Sequence, residues 1–348
     1  MIELSTSITV IDRMAARLRD WHRDSGRHDL PWQRQGPYAT WVSEIMLQQT
    51  QVAVVIPYYL RFMESFPSVT ALAEAPQDQV LAHWAGLGYY ARARNLHQAA
   101  QQIVSLFNGE IPQSLESLMT LKGIGRSTAG AIRSLGWGLR GVIQDGNVRR
   151  VLARLHAIAG DLQTSSQQHV LWELAEYYTP ALGEHAATHT QAMMDLGATV
   201  CKRTHPRCSN CPFHADCQAH QQGLTEYLPT PKKVKKRPSV EWFVLGLRDI
   251  NNRIWCTRRP DLGIWGGLYC PPTGESLQQL IAKLNLPADL NYAEGPVLAH
   301  VFSHFSVQLS YVEASVPQWN PPNHGIWVTQ GTYDIGLPAP INRLLGWV

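Results

Sequence analysis

The sequence contains no apolar run approaching the roughly 18 residues that a membrane-spanning helix needs, so no span is expected. Its opening stretch, MIELSTSITVIDRMAARLRD, lacks a basic leader followed by an apolar block. That gives no sign of secretion and points to the cytoplasm. An excess of one charge is also missing: 30 Lys and Arg against 27 Asp and Glu leave a formal charge of +3. Such a balance permits nucleic-acid binding without arguing for it, because a folded chain can gather its basic groups on one face. Evenly spaced cysteines are absent too. Four of the six lie between residues 201 and 217, which speaks against a disulfide scaffold and for metal or cluster ligation in reducing surroundings. Widespread disorder is excluded, since 45% of the 348 residues are hydrophobic and only 16% charged. That length suffices for about two or three domains.

What is present divides at a linker. Residues from about 8 to 220 read as mostly helical. IDRMAARLRDWHRD carries apolar residues at helical spacing, and TWVSEIMLQQTQVAVVIPYYLRFMESF reads as a longer apolar helix broken or ended near Pro57. Gly86 and Gly88 punctuate the next gap, and DGNVRRVLARLHAIAG reads as a helix capped by Asp145 and ended at Gly160. Between residues 223 and 240 three prolines and five Lys or Arg residues crowd together without apolar periodicity, as in an exposed linker. Beyond it VEWFVLGLRD, RIWCTRRP, GLYCPP and FSHFSVQLSYVEASV read as strands, with one helix at SLQQLIAKLN. The expected organisation is a helical region over 1–222, a linker over 223–240 and a smaller α+β domain over 241–348.

Cys201, Cys208, Cys211 and Cys217 give the spacing C-x6-C-x2-C-x5-C. Structural zinc sites usually bring two close pairs from separate knuckles. One central pair flanked by single cysteines on longer arms suits a cubane iron–sulfur cluster better, and zinc drawing on His205 or His214 is the alternative. The same loop holds Lys202, Arg203 and Arg207, which suit a DNA backbone.

LKGIGRSTAG, residues 121–130, is neither G-x-G-x-x-G nor G-x-x-x-x-G-K-[ST], because Thr128 stands where the first motif has its third glycine. A tight turn with Gly123 and Gly125 between two helices points N–H groups outward and can hold a polynucleotide phosphate. A plain helix–helix corner is the other reading. Asp145 in QDGNVRRVL stands at a helix start, where free N–H groups keep a carboxylate ionised; capping alone also explains it. Glu44 sits beside Trp41, Val42, Ile45 and Met46. Such company raises a carboxyl pKa and makes a proton donor, although a first-turn Glu favoured by the helix dipole reads the same way. A proton donor and a fixed anion together suit a cation-like transition state of glycosyl transfer.

The motifs LPWQ, SEIMLQQTQV, GLGYYARARNLHQAA, GIGRSTAGAI, DGNVRRVLAR and QAMMDLGA, followed by the cysteine loop, resemble in order the adenine DNA glycosylases of the MutY type. That family lies within the helix–hairpin–helix superfamily. One departure is Lys122, where the family's hairpin usually has proline. The resemblance implies a mainly α helix–hairpin–helix glycosylase region with a 4Fe-4S cluster loop, followed by an α+β Nudix-like domain. It implies that Glu44 protonates adenine N7 and then handles the attacking water, and that Asp145 stabilises the oxocarbenium-like sugar. Leu121 to Gly125 becomes the DNA-binding hairpin, with Gly123 and Gly125 in the turn. Ser127 stands where lyase relatives place their nucleophilic lysine, and a hydroxyl cannot form a Schiff base. Gln49 and Tyr89 match residues that fill or wedge the base stack, and adenine must be flipped out to be reached. Trp32 and Asp195 match the adenine pocket; core packing or a helix-surface charge is the other reading for both.

In the last domain Phe302, Ser303 and His304 match the family's loop that reads 8-oxoguanine opposite the adenine. The Nudix hydrolase signature needs a helix with an R-E-x-x-E-E set to hold Mg2+. The corresponding TGESLQQLIAKLNL has a single acid, Glu275, so pyrophosphate hydrolysis is expected to be absent. The implied partner is double-stranded DNA with A:8-oxoguanine or A:G mispairs, bound by a monomer. Two rivals remain at this point: a bifunctional endonuclease III-like glycosylase and lyase, which would need a Schiff-base lysine, and a non-catalytic mismatch binder.

Overall fold

A computed structural model describes residues 8–181, 183–231, 237–287, 289–332 and 334–347. The basic run of the predicted linker, 232–236, lies outside the described residues. By internal contacts the chain divides into two units. One joins the residues up to Thr70 with those from Gln98 to the linker, and the other joins Ala71–His97 with the chain beyond the linker.

Helices α1 (Ile8–Ser25), α2 (Gly36–Leu47), α3 (Val52–Ser65), α4 (Val69–Glu74), α5 (Gln77–Trp84) and α6 (Ala91–Phe107) lead to a hairpin of α7 (Leu115–Thr120) and α8 (Arg126–Ala131). Then come α9 (Gly146–Leu155), α10 (Ser165–Tyr177), α11 (Ala186–Asp195) and the short α12 (Gln218–Gln221). Helices α8 and α11 each continue into a π-helical turn, Ile132–Gly136 and Leu196–Val200. In α1 the residues Ile11, Met14, Ala15 and Leu18 recur on one face and are all buried. A core of Leu18, Val148, Val151, Leu152, Leu171 and Leu196 joins α1, α9, α10 and the turn after α11.

The chain break expected near Pro57 falls earlier. Helix α2 stops at Leu47, Gln49 takes φ +60, and α3 starts at Val52 with Pro57 inside it. A proline in the second turn costs one backbone bond and leaves the rest of the helix intact. Helix α9 also ends sooner than expected, at Leu155, and Ala157 follows at φ +48.

Two close backbone approaches fix the end of this unit that carries Glu44 and Asp145. A Cβ at Gly130 in α8 would stand 2.0 Å from the Val142 carbonyl oxygen, and one at Gly141 would stand 1.9 Å from the Gly130 oxygen. The extended segment that leads into Asp145 therefore lies main chain to main chain on α8. A Cβ at Gly136 would stand 2.6 Å from Pro37 Cα, so α2 enters against the π turn in the same way.

In the second unit, strands β1 (Ser239–Arg248), β2 (Ile254–Arg258), β3 (Tyr269–Cys270), β4 (Thr273–Gly274), β5 (Ala293–Val301), β6 (Ser306–Ser315) and β7 (Gly325–Val328) form one mixed sheet, joined by α13 (Leu277–Lys283) and α14 (Ala339–Leu344). The order is β3-β2-β1-β6-β5, with β4 paired to β1 and β7 to β2; β1 and β6 run parallel. Leu245, Leu247, Trp255 and Val312 centre its core, covered by Leu277, Leu280 and Ile281 of α13. Phe302 to Phe305, expected to begin a strand, form instead the turn between β5 and β6, closed by the Phe302 N–H donating to the Phe305 carbonyl at 2.8 Å. Strands β5 and β7 and helix α14 escaped the sequence reading.

Candidate active site

Glu44 projects from the third turn of α2, and Asp145 caps α9, its Oδ1 accepting from the Val148 N–H at 2.7 Å. The Asn147 side-chain amide donates to Asp145 Oδ2 at 3.1 Å. Among the described residues no donor holds Glu44. Burial pushes its carboxyl up to about 8, and the neighbouring Asp145 charge adds to the rise. Burial also leaves the Asp145 carboxyl above its ordinary value, and the Val148 and Asn147 donors and the Arg150 charge offset only part of that rise. Each carboxyl keeps some access to solvent. Asp145 has protein donors for its charged form and Glu44 has none, so Glu44 is the better placed of the two to hold a proton.

Ser127, in the first turn of α8, accepts the Gln144 N–H at 2.9 Å, one residue before Asp145. Its hydroxyl therefore fixes the approach to the cap. In the preceding hairpin Gly123 takes φ +79, a conformation that suits glycine. A Cβ at Gly125 would meet nothing within 4 Å, so the surface beside the α8 N-terminus is open to a phosphate.

A chain of polar contacts runs from Asp145 to the cysteine loop. Asn147 Oδ1 accepts from Arg150 Nη2 at 2.8 Å. Arg150 donates from Nε to the Cys201 carbonyl at 2.7 Å and from Nη2 to the Gly197 carbonyl at 2.7 Å. Arg154, only 1% exposed, ties the same loop through the carbonyls of Lys202 at 2.6 Å, Arg203 at 3.1 Å and Leu228 at 2.7 Å. Asn147 and Arg150 were missed as site residues. Their three-residue spacing from one face of α9 was the available signal.

Cys201, Cys208, Cys211 and Cys217 line one small pocket, together with Arg154, Phe213, His214 and His220. His205 lies outside that lining. Among the described residues no three of His, Cys, Asp or Glu stand close enough to hold one ion. The four cysteines share this lining, a donor set of thiols that suits a cluster. Burial pushes the Cys211 thiol up to about 12, so it becomes a thiolate only against bound cationic metal. The other two cysteines, Cys256 and Cys270, are buried in the sheet domain.

Trp32 is buried edge-on to Tyr59 and lines a cleft of about 570 Å³ with His22, Arg34, Thr40 and Gln191. Asp195 is wholly buried. Its carboxylate accepts from the Arg27 N–H and Nε at 2.8 Å each and from Gln191 Nε2 at 2.9 Å. Burial acts to raise its pKa, but these donors and His22 bring it below the ordinary value. Asp195 thus anchors the segment before Trp32, and Gln191, not singled out from sequence, is one of several polar side chains lining the cleft. Gln49 is exposed at φ +60, and Tyr89 is 45% exposed at φ +51. Left-handed backbone at residues other than glycine costs strain, and such positions cluster at functional sites. In the sheet unit, Ser303 and His304 are exposed and bonded to each other, Oγ to Nδ1 at 3.1 Å.

Comparison with known proteins follows this geometry. Residues 42–177 match the family model of HhH-GPD superfamily base excision DNA repair proteins, and residues 243–347 match the NUDIX domain model. An adenine DNA glycosylase of Buchnera aphidicola subsp. Baizongia pistaciae is 34% identical over 343 residues, covering 94% of each chain. The human adenine DNA glycosylase is 40% identical over 249 residues, which is 68% of this chain and 45% of that one. Among solved structures, a thermostable thymine-DNA glycosylase aligns over 62% of this chain and 98% of its own, with TM-score 0.55 and 23% identity. An endonuclease III–DNA complex aligns over 63% and 99%, with TM-score 0.52 and 21% identity. These structural likenesses carry the fold of the helical region.

Proposed function

The chain belongs to the adenine DNA glycosylases, base-excision repair enzymes that remove adenine from DNA, and from that premise we propose that its substrate is adenine mispaired with 8-oxoguanine or guanine and that it acts by hydrolysis alone. The observation that carries the mechanism is the unequal carboxyl pair, Glu44 raised to about 8 beside an Asp145 held by protein donors. Glu44 gives its proton to N7 of the flipped adenine. The C1′–N9 bond then breaks, its electron pair leaving with the base, and Asp145 faces the positive charge that develops on the sugar. Water attacks C1′ and yields its proton to the Glu44 carboxylate, which restores the acid and leaves an abasic site.

At Ser127 the lyase lysine is replaced by a hydroxyl already engaged with Gln144 N–H, so no amine at that position competes with water. Gln49 and Tyr89 carry the strained, exposed geometry suited to wedging the stack, and Gly123 and Gly125 the open turn suited to a phosphate. Trp32 and Gln191 line the space for the flipped base, with Asp195 holding the segment behind them. Phe302, Ser303 and His304 read the opposite base. Cys201, Cys208, Cys211 and Cys217 would hold a 4Fe-4S cluster, which would supply the cations that ionise their thiols and tie the loop together. The chain works as a cytoplasmic monomer. Among the described residues no helix is long and apolar enough to cross a membrane.

The test is a single-turnover assay on a panel of mispaired duplexes, with alkali added afterwards to expose abasic sites. Adenine release from A:8-oxoguanine and A:G duplexes is expected. Tight binding without release would favour a mismatch binder, and efficient borohydride capture would favour a lyase.

A further inference from the structure

Tyr89 closes the turn between α5 and α6, and four residues past its own turn Arg94 donates from Nη1 to the Gly266 carbonyl at 2.6 Å. Helix α5 grips the same region. Asp78 accepts from Arg258 Nε at 3.2 Å and from the Tyr269 hydroxyl at 3.3 Å, and Arg258 also pairs with Asp261 at 3.1 Å. A Cβ at Gly336 would stand 2.9 Å from the Leu81 carbonyl oxygen, so α5 meets this part of the sheet domain backbone to backbone.

Beside Gly266 lies Trp265, 5% exposed and at φ +55. A bulky side chain with that backbone is an outlier, held only where its surroundings over-determine it. Its ring meets Phe302 at 5.7 Å and Trp242 at 6.1 Å, with the Arg259 guanidinium 5.8 Å from its centroid. Phe302 in turn packs on Phe305 at 4.7 Å and His300 at 4.6 Å. One Arg–carbonyl bond and one strained tryptophan therefore separate the turn that carries Tyr89 from the turn that carries Phe302, Ser303 and His304.

We infer that Arg94 and Trp265 are positioning residues that couple the Tyr89 wedge to the Phe302–His304 loop, so that reading the base opposite adenine and opening the stack occur as one event. The inference rests on the lesion-reading role proposed above. A charge-assisted bond to a carbonyl is among the stronger single tethers available at a half-buried site. The aromatic stack passes displacement on because packed rings cannot compress.

The test uses the full chain and two readouts. In the first, single-turnover excision is measured on A:8-oxoguanine and A:G duplexes for wild type, Arg94→Ala, Arg94→Lys, Phe302→Ala and the Arg94→Ala/Phe302→Ala pair. Arg94→Ala is expected to lower the preference for 8-oxoguanine by about tenfold, Arg94→Lys to restore it, and the double variant to fall no further than Phe302→Ala. Equal slowing on both duplexes, or fully additive losses, overturns the coupling. In the second, 2-aminopurine placed next to 8-oxoguanine reports unstacking without excision. Trp265→Leu is expected to cut its fluorescence rise, and an undiminished rise overturns the inference. If Phe302→Ala itself keeps the full preference, the lesion-reading role fails instead, and the coupling falls with it.

Discussion

Replacing Glu44 with glutamine separates the chemistry of the site from its cost. The carboxyl ionises at about 8 in the fold against 4.5 for the free side chain. Between those values the unfolded chain gives up a proton that the native protein keeps. Native stability therefore falls as pH rises from about 4.5, and the loss is complete once pH passes about 8. At about 1.36 kcal/mol per unit, the shift corresponds to on the order of 5 kcal/mol as an upper bound. Residual solvent access at Glu44 reduces this to roughly half. The amide has nearly the same shape and never ionises, so Glu44→Gln removes the penalty. The variant is expected to match wild type near pH 5 and to exceed it at pH 9 by about 2–3 kcal/mol, read as the shift in urea midpoint multiplied by the slope.

The same change removes the proton donor, a contribution of about 10²- to 10⁴-fold in rate, while leaving duplex binding largely intact. For wild type, single-turnover adenine release should be level below about pH 8 and fall tenfold per unit above it. A variant no more stable than wild type at pH 9, together with a wild-type rate still level at pH 10, would refute the raised pKa and the acid role built on it.

Other outcomes follow from the same geometry. Arg150→Ala severs the contacts from Asn147 to the Cys201 and Gly197 carbonyls, and excision should fall about 10- to 100-fold while the iron content, measured by chelation after acid release, stays at the wild-type level. Ser127→Ala leaves the Gln144 N–H unpaired; a loss of about 1–3 kcal/mol in chemical denaturation is expected, and no loss would mean water replaces the hydroxyl. Gly130→Ala places a Cβ 2.0 Å from the Val142 oxygen, so the protein should lose several kcal/mol, roughly the range of severe overpacking, and a wild-type melting temperature would disprove the close approach. Cys211→Ser should abolish sulfur-to-iron absorbance in the purified protein, whereas retained absorbance would remove that residue from the ligand set.

Much of the site was legible because its chemistry demands unusual residues in unusual places. Glu44 stood out as an acid in apolar company, Asp145 as a cap, and the cysteines by their crowding. What sequence concealed was who holds whom. Asp195 looked like a pocket residue, but its carboxylate is consumed by Arg27, His22 and Gln191, and only the folded path of the chain brings those donors together. Arg150 was passed over, and its partner carbonyls lie 47 and 51 residues further on. Trp265 drew no reading from sequence, because backbone strain leaves no mark on residue type. Local breaks were also hidden. Pro57 looked like the helix end, whereas the chain turns at Gln49, a residue with no intrinsic preference for that conformation.

The crossing of Gly130 and Gly141 bears on how inherited variation in this chain should be read. Because main chain rests directly on main chain there, the alignment leading to Asp145 is set by that crossing together with the Ser127 hydroxyl on the Gln144 N–H. Substitutions among the surrounding apolar residues can accumulate over generations with the catalytic alignment preserved. The two glycines have no such latitude: any other amino acid adds an atom where none fits. A missense change at either position is thus expected to lower repair through lost stability, with every residue of the candidate site still encoded.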